Sequence, residues 1–83
     1  MACKIEYKSS VIKDLKKLDK KVAMRILQQL EKSLGENPDC GIPLSGQFKG
    51  LFKYRIGDYR VIYVKTKEGV LVLRIRHRSK AYR

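Results

Sequence analysis

The sequence predicts an α+β fold: a single small domain in which an N-terminal strand and a helix hairpin pack on one face of a twisted antiparallel sheet. Three observations carry this. Period-two alternation appears near the N-terminus and again from residue 51 onward, two stretches of period 3.6 lie between, and glycine-containing turns separate the later alternating runs. Eighty-three residues suffice for one core and not for two, so residues 1–83 read as one unit. Hydrophobic residues make up 43% of the chain, which excludes a disordered basic tail.

Each element follows from its local pattern. Cys3 to Lys8 alternate apolar with charged residues, giving a short strand with Cys3, Ile5 and Tyr7 facing inward. Ser9 or Ser10 is then placed to cap a helix whose Val11, Leu15 and Leu18 form an apolar stripe, with Ile12 alongside, opposite Lys13, Lys16 and Lys17. Asp19 is placed to cap a second helix carrying Val22, Ala23, Ile26, Leu27, Leu30 and Leu34 on one face, and Gly35 with Pro38 supplies its stop. Residues 36–50 show no periodicity and read as a long crossing loop.

From Leu51 the period is two again. Phe52, Tyr54 and Ile56 share one face of a strand, with Lys53 and Arg55 on the other. Gly57-Asp58 is a turn signal, and the next strand runs from Tyr59 to Lys65. After a turn at residues 66–69, Leu71, Leu73 and Ile75 are expected to face the core, leaving Val70, Val72, Arg74 and Arg76 on the opposite side. The hairpin of helices can cover only one sheet face, so the other is expected to be open and basic. Tyr54, Tyr59 and Tyr63 read as packing residues of this sheet.

The net charge of +12 points to a polyanionic partner, nucleic acid or an acidic protein. Residues 47 to 83 carry eleven Lys and Arg against Asp58 and Glu68, whereas residues 1 to 46 carry nine against six acids. The functional surface is therefore expected in the second half, where Lys53, Arg55, Arg60, Arg76 and Arg78 stand on or beside strands that can aim them at one phosphate. Cys3 and Cys40 match no ligand spacing and read as reduced small fillers; no metal site and no cofactor are expected. The N-terminus lacks an apolar run, so a cytoplasmic protein with no membrane partner is expected.

The strand Gly57-Asp58-Tyr59-Arg60-Val61-Ile62-Tyr63 and the ending His77-Arg78-Ser79-Lys80-Ala81-Tyr82, at this separation and after a strand and a helix pair, resemble the RelE/ParE superfamily of bacterial and archaeal toxins, over essentially the whole chain. The resemblance implies the toxin of a type II toxin–antitoxin module, with a cognate acidic, RelB-like antitoxin covering the helices and the basic sheet. RelE-like members cut mRNA in the ribosomal A site without a metal ion; ParE-like members share the fold, lack the nuclease residues and poison DNA gyrase.

The RelE-like cradle is a Lys-x-Lys or Lys-x-Arg pair, an Arg on the next strand, and an Arg and a Tyr near the C-terminus. By that resemblance Lys53 and Arg55 match the pair, with Lys53 the better candidate base because arginine stays charged. Arg60 matches the phosphate-binding arginine, Arg76 or Arg78 the charge stabiliser or acid, and Tyr82 the aromatic that stacks on a base or orients substrate. His77, the one histidine, is of the residue type suited to assisting proton transfer. If its strand stays regular, His77 shares a face with Ile75 and points at the helices; a bulge or strand end near Arg76 would reverse this.

Lys16 and Lys17, with Lys13, Lys20 and Lys21, read as a solvated helix face attracting RNA generally, and Lys49 as a further phosphate contact or a solvent-facing loop residue. The preferred reading is thus a ribosome-dependent, metal-independent mRNA endonuclease that inhibits translation. A gyrase inhibitor of the ParE kind, or a non-catalytic nucleic-acid-binding or repressor partner, are the alternatives.

Overall fold

A computed structural model describes residues 4–44, 46 and 49–77. In chain order the elements are β1 (Lys4–Tyr7), α1 (Ser9–Lys16), α2 (Lys20–Glu36), β2 (Ile42–Pro43), β3 (Leu51–Ile56), β4 (Tyr59–Lys65) and β5 (Gly69–His77). One five-stranded sheet runs β1-β5-β4-β3-β2; β1 pairs with β5 in parallel and every other pair is antiparallel. The α+β expectation is met, with two additions. The parallel edge strand makes the sheet mixed, and the expected loop 36–50 contributes the two-residue strand β2, which pairs with Phe52 and Lys53. Two residues are too few to register a period, and Pro43 suits the edge strand where it stands.

The helices supply Val11, Ile26, Leu30 and Leu34 to the core, and the sheet supplies Ile56, Val61, Tyr63, Val70, Val72 and Ile75. Fully burying each large aliphatic among them stabilises the fold by about 1.5–3 kcal/mol. Leu15, Leu18 and Val22 pack at the margin as their stripes require, whereas Ile12 stays about half exposed. Neither serine caps α1. Lys8 occupies the N-cap position without a side-chain bond, and the Ser10 hydroxyl donates instead to the Leu73 carbonyl, at 2.8 Å. Asp19 does stand at the N-cap of α2, also without a side-chain bond.

The expected inward set on β5 is corrected. Val70 and Val72 are fully buried, while Leu71 and Leu73 are only partly so. The register explains both this and the burial of Ile75: Tyr63 pairs with Val72 but Ile62 pairs with Arg74, so Leu73 is an extra residue. This β-bulge moves the inward set from even to odd positions partway along the strand.

Elsewhere the turn and loop chemistry is as the residues demand. Gly57 takes φ +57° with no positive φ at Asp58, the pattern of a type II′ hairpin turn. Tyr63 is buried; its hydroxyl donates to the Pro38 carbonyl and accepts from the Gly41 amide, pinning the loop after α2. Cys40 is exposed and free rather than a buried filler; Cys3 lies outside the described residues. No helix among the described residues is long and apolar enough to cross a membrane.

Tyr7 packs against the core with its hydroxyl buried and without a hydrogen-bond partner. Burial first, and the Glu31 carboxylate second, hold its phenol above the usual value of 10.0. The folded state thus holds this proton more tightly than the unfolded chain, so the associated stability is present below about pH 10 and lost as pH rises through the raised value. Tyr7→Phe removes an unsatisfied buried group; urea melts should show unchanged stability or a gain of up to about 1 kcal/mol, with a shallower alkaline loss.

Candidate functional site: a basic sheet face

Both helices lie on one side of the sheet, so alternation along the strands decides which side chains stand on the other. Phe52 and Tyr54 pack against the core, which turns Lys53 and Arg55 to the uncovered face. Val61 and Tyr63 point inward, which turns Arg60 and Ile62 outward. The bulge at Leu73 then lets Ile75 point inward, and Arg74 and Arg76 outward.

Register brings these groups together. Arg55 pairs with Arg60 and Arg60 with Arg76, so three arginines stand abreast on three neighbouring strands. One step along, Lys53, Ile62 and Arg74 form a second row. Side chains opposite one another in a sheet have Cβ atoms about 4.5–5.5 Å apart. Cations at that spacing repel one another, and an anion placed among them would relieve that repulsion.

A concavity of about 450 Å³ opens beside the rows. Leu44, Leu51, Ile62 and Leu73 give it apolar walls, and Arg60, Arg74 and Arg76 line its cationic part. Leu44 is fixed there because its amide donates to the Leu51 carbonyl at 2.9 Å. Apolar walls with a few convergent cations suit a flat, partly apolar group attached to an anion.

The expected residues separate into four groups. Lys53, Arg55, Arg60 and Arg76 are on the one face; Arg55 is exposed and its Nε donates to the Gly57 carbonyl at 3.2 Å, tying it to the turn. His77 is not with them: it pairs with Tyr59, which meets its ring edge-on at 5.3 Å, on the side of Ile75. The bulge lies upstream of Arg76, at Leu73, so it leaves the relation of His77 to Ile75 unchanged. Arg78 and Tyr82 lie outside the described residues. Lys49 is exposed in the turn before β3, and Lys16 and Lys17 are exposed at the end of α1.

Two features of the site were missed by the sequence reading. Part of the apolar wall was hidden because the expected inward set on β5 puts Leu73 in the core. Asp14 was hidden among lysines, yet its Oδ2 accepts from the Ile75 amide at 3.1 Å and lies 3.3 Å from Arg74 Nε. The latter is an ion-pair distance without hydrogen-bond alignment. A second recess of about 190 Å³ separates this end of α1 from the strand end, with Asp14, Lys17, Arg74, Arg76 and His77 on its walls.

Comparison with known proteins places this geometry in context. The family model described as the ParE toxin of type II toxin–antitoxin systems, parDE, matches residues 5–82. The Toxin RelE of Mycobacterium tuberculosis is 33% identical over 78 residues, covering 90% of this chain and 80% of that protein. Among solved structures, the RelBE2 toxin–antitoxin complex of M. tuberculosis matches with a TM-score of 0.86 and 27% identity, covering 94% of this chain and 100% of that one. The archaeal RelE–RelB complex of Pyrococcus horikoshii matches with a TM-score of 0.68 and 30% identity, over 98% of this chain and 100% of that one.

Proposed function

The chain belongs to the ParE toxin family of type II toxin–antitoxin systems, and from that premise we propose that it is a ribosome-dependent mRNA endonuclease that needs no metal ion. The single observation carrying this reading is the register that sets Arg55, Arg60 and Arg76 abreast on the sheet face the helices leave uncovered, with Lys53 one step away. A protein that only docks on a partner needs basic charge; a phosphoryl-transfer site needs it converging on one phosphate.

The reaction is an internal transesterification. The 2′-oxygen loses its proton and bonds to the adjacent phosphorus, the bond from phosphorus to the 5′-oxygen breaks, and the departing oxygen takes a proton. The products are a 2′,3′-cyclic phosphate and a 5′-hydroxyl. Lys53 is the amine of the set and the candidate base; the arginines on β4 and β5 neutralise the charge that builds on the phosphorane. The apolar walls beside Arg60 and Arg76 hold a nucleobase of the codon. The family resemblance assigns Arg78 a charge-stabilising part and Tyr82 a stacking or orienting part, and His77, on the other side of the sheet, has at most a supporting part.

The basic surface, including Lys16, Lys17 and Lys49, favours ribosomal RNA through phosphate contacts that carry no sequence information. An acidic antitoxin covering this face would silence the toxin by charge and by apolar burial; that the two solved relatives described above are toxin–antitoxin complexes supports such a partner. The test is end chemistry. Message cut by the toxin on ribosomes should carry 2′,3′-cyclic phosphate and 5′-hydroxyl ends, and pre-treating the toxin with a chelator, removed before the ribosomes are added, should leave the rate unchanged. Ends with 5′-phosphate would overturn the mechanism.

A further inference from the structure

Arg74 and Arg76 reach the open face only because β5 carries one extra residue. Val70 and Val72 point into the core, so uninterrupted alternation would turn positions 74 and 76 inward and Ile75 outward. The bulge at Leu73 exchanges the two sets. A bulge also breaks the ladder and leaves backbone groups needing partners.

Here α1 provides those partners. The Ser10 hydroxyl donates to the Leu73 carbonyl at 2.8 Å, and Asp14 Oδ2 accepts from the Ile75 amide at 3.1 Å. The two residues are four apart, so one helix face delivers both. The same carboxylate oxygen lies 3.3 Å from Arg74 Nε, and the Asp14 side chain is only 12% exposed. An exposed ion pair would contribute little; a shielded carboxylate that also holds a backbone amide is a different device.

We infer that Asp14 is a positioning residue: by holding the Ile75 amide and the Arg74 guanidinium it fixes the bulge that aims Arg76 at the scissile phosphate. The inference rests on the endonuclease reading. Asp14 touches no substrate and acts through the strand.

Two substitutions divide its contributions. Asp14→Asn keeps an oxygen to accept from the Ile75 amide and loses the charge, whereas Asp14→Ala loses both. The experiment is single-turnover cleavage of a defined message on ribosomes, with hydrogen exchange of the Ile75 amide followed by NMR in the same full-length proteins. Asp14→Ala should lower the saturating cleavage rate about 10²-fold, as expected for a group displaced by about an ångström. The half-saturating ribosome concentration should stay within about threefold, because the phosphate contacts that set it are untouched. The Ile75 amide should exchange faster in Asp14→Ala, and Asp14→Asn should restore most of both the rate and the protection.

Ser10→Ala, which removes one hydroxyl, gives a milder version and guards against misfolding in the first variant; it should slow cleavage without raising the half-saturating concentration. Wild-type cleavage by Asp14→Ala, or a loss no larger than its fall in folded fraction, would overturn the positioning role. Cleavage by Asp14→Asn as slow as by Asp14→Ala, with Ile75 still protected, would overturn it as well. If the wild-type protein leaves message uncut while Ile75 loses protection only in Asp14→Ala, the nuclease reading and the catalytic part of this role fall together, and the hold on the bulge stands.

Discussion

Arg60→Ala and Arg76→Ala are each expected to slow A-site cleavage by about 10²- to 10³-fold, the loss typical of removing one preorganised group facing transition-state charge. The two arginines are direct partners across β4 and β5, so under the proposed mechanism both would face the same phosphate. Their combined removal should cost less than the product of the single losses. Arg55→Ala should cost less than either, since its Nε is engaged with the Gly57 carbonyl on the exposed turn. Lys16→Ala with Lys17→Ala makes the contrast: these side chains are exposed at the end of α1, so the pair should weaken ribosome binding and flatten its salt dependence while leaving the saturating rate unchanged. Single-turnover cleavage at several salt concentrations reads all of these.

Gly69→Ala is expected to destabilise the fold by about 3 kcal/mol, at the upper end of what overpacking costs. Gly69 pairs with Lys4 where β1 lies parallel to β5, and an added Cβ would strike the Lys4 backbone itself. Backbone cannot rotate away as a side chain can, so β1 must move and its pairing along Lys4–Tyr7 is strained. For a domain of 83 residues, whose whole stability is on the order of 4–12 kcal/mol, that is a large share. Gly57→Ala is the comparison: its Cβ would meet open space, and the cost is confined to φ +57°, about 1 kcal/mol. Urea melts of the two variants give the ordering directly.

The legible parts of the fold were those whose signal is local. Val11 and Leu15 in α1, and Ile26, Leu30 and Leu34 in α2, announce their helices by spacing alone. Gly57-Asp58 announces the β3–β4 turn, and with it the alignment of Arg55 against Arg60. The β5 segment Val70-Leu71-Val72-Leu73 is apolar on both faces, so its parity carries no information, and the inward set was assigned the wrong way round for its first half. The bulge at Leu73 that separates its two halves is hydrogen-bonded by Ser10 and Asp14, some sixty residues away in sequence. The parallel pairing of β1 is likewise a long-range contact with no local mark.

The same distinction governs the site. Lys53, Arg55, Arg60 and Arg76 were legible because a cation opposite an inward-facing aromatic or aliphatic residue must face outward. Arg74 was placed on the correct face but given no role, since its partner Asp14 looks, among Lys13, Lys16 and Lys17, like one more solvated charge. The apolar walls around Leu44 and Leu51 depend on the return of the chain from β2 to β3, which composition alone cannot reveal.

Primer extension on a defined message, bound to 70S ribosomes or free in solution, tests the central claim most directly. Wild-type protein should give cuts within the A-site codon of ribosome-bound message only, and these should vanish with Arg60→Ala and Arg76→Ala. Intact ribosome-bound message, together with inhibition of DNA gyrase in a supercoiling assay, would contradict the account and make the arginine row a docking surface for that enzyme.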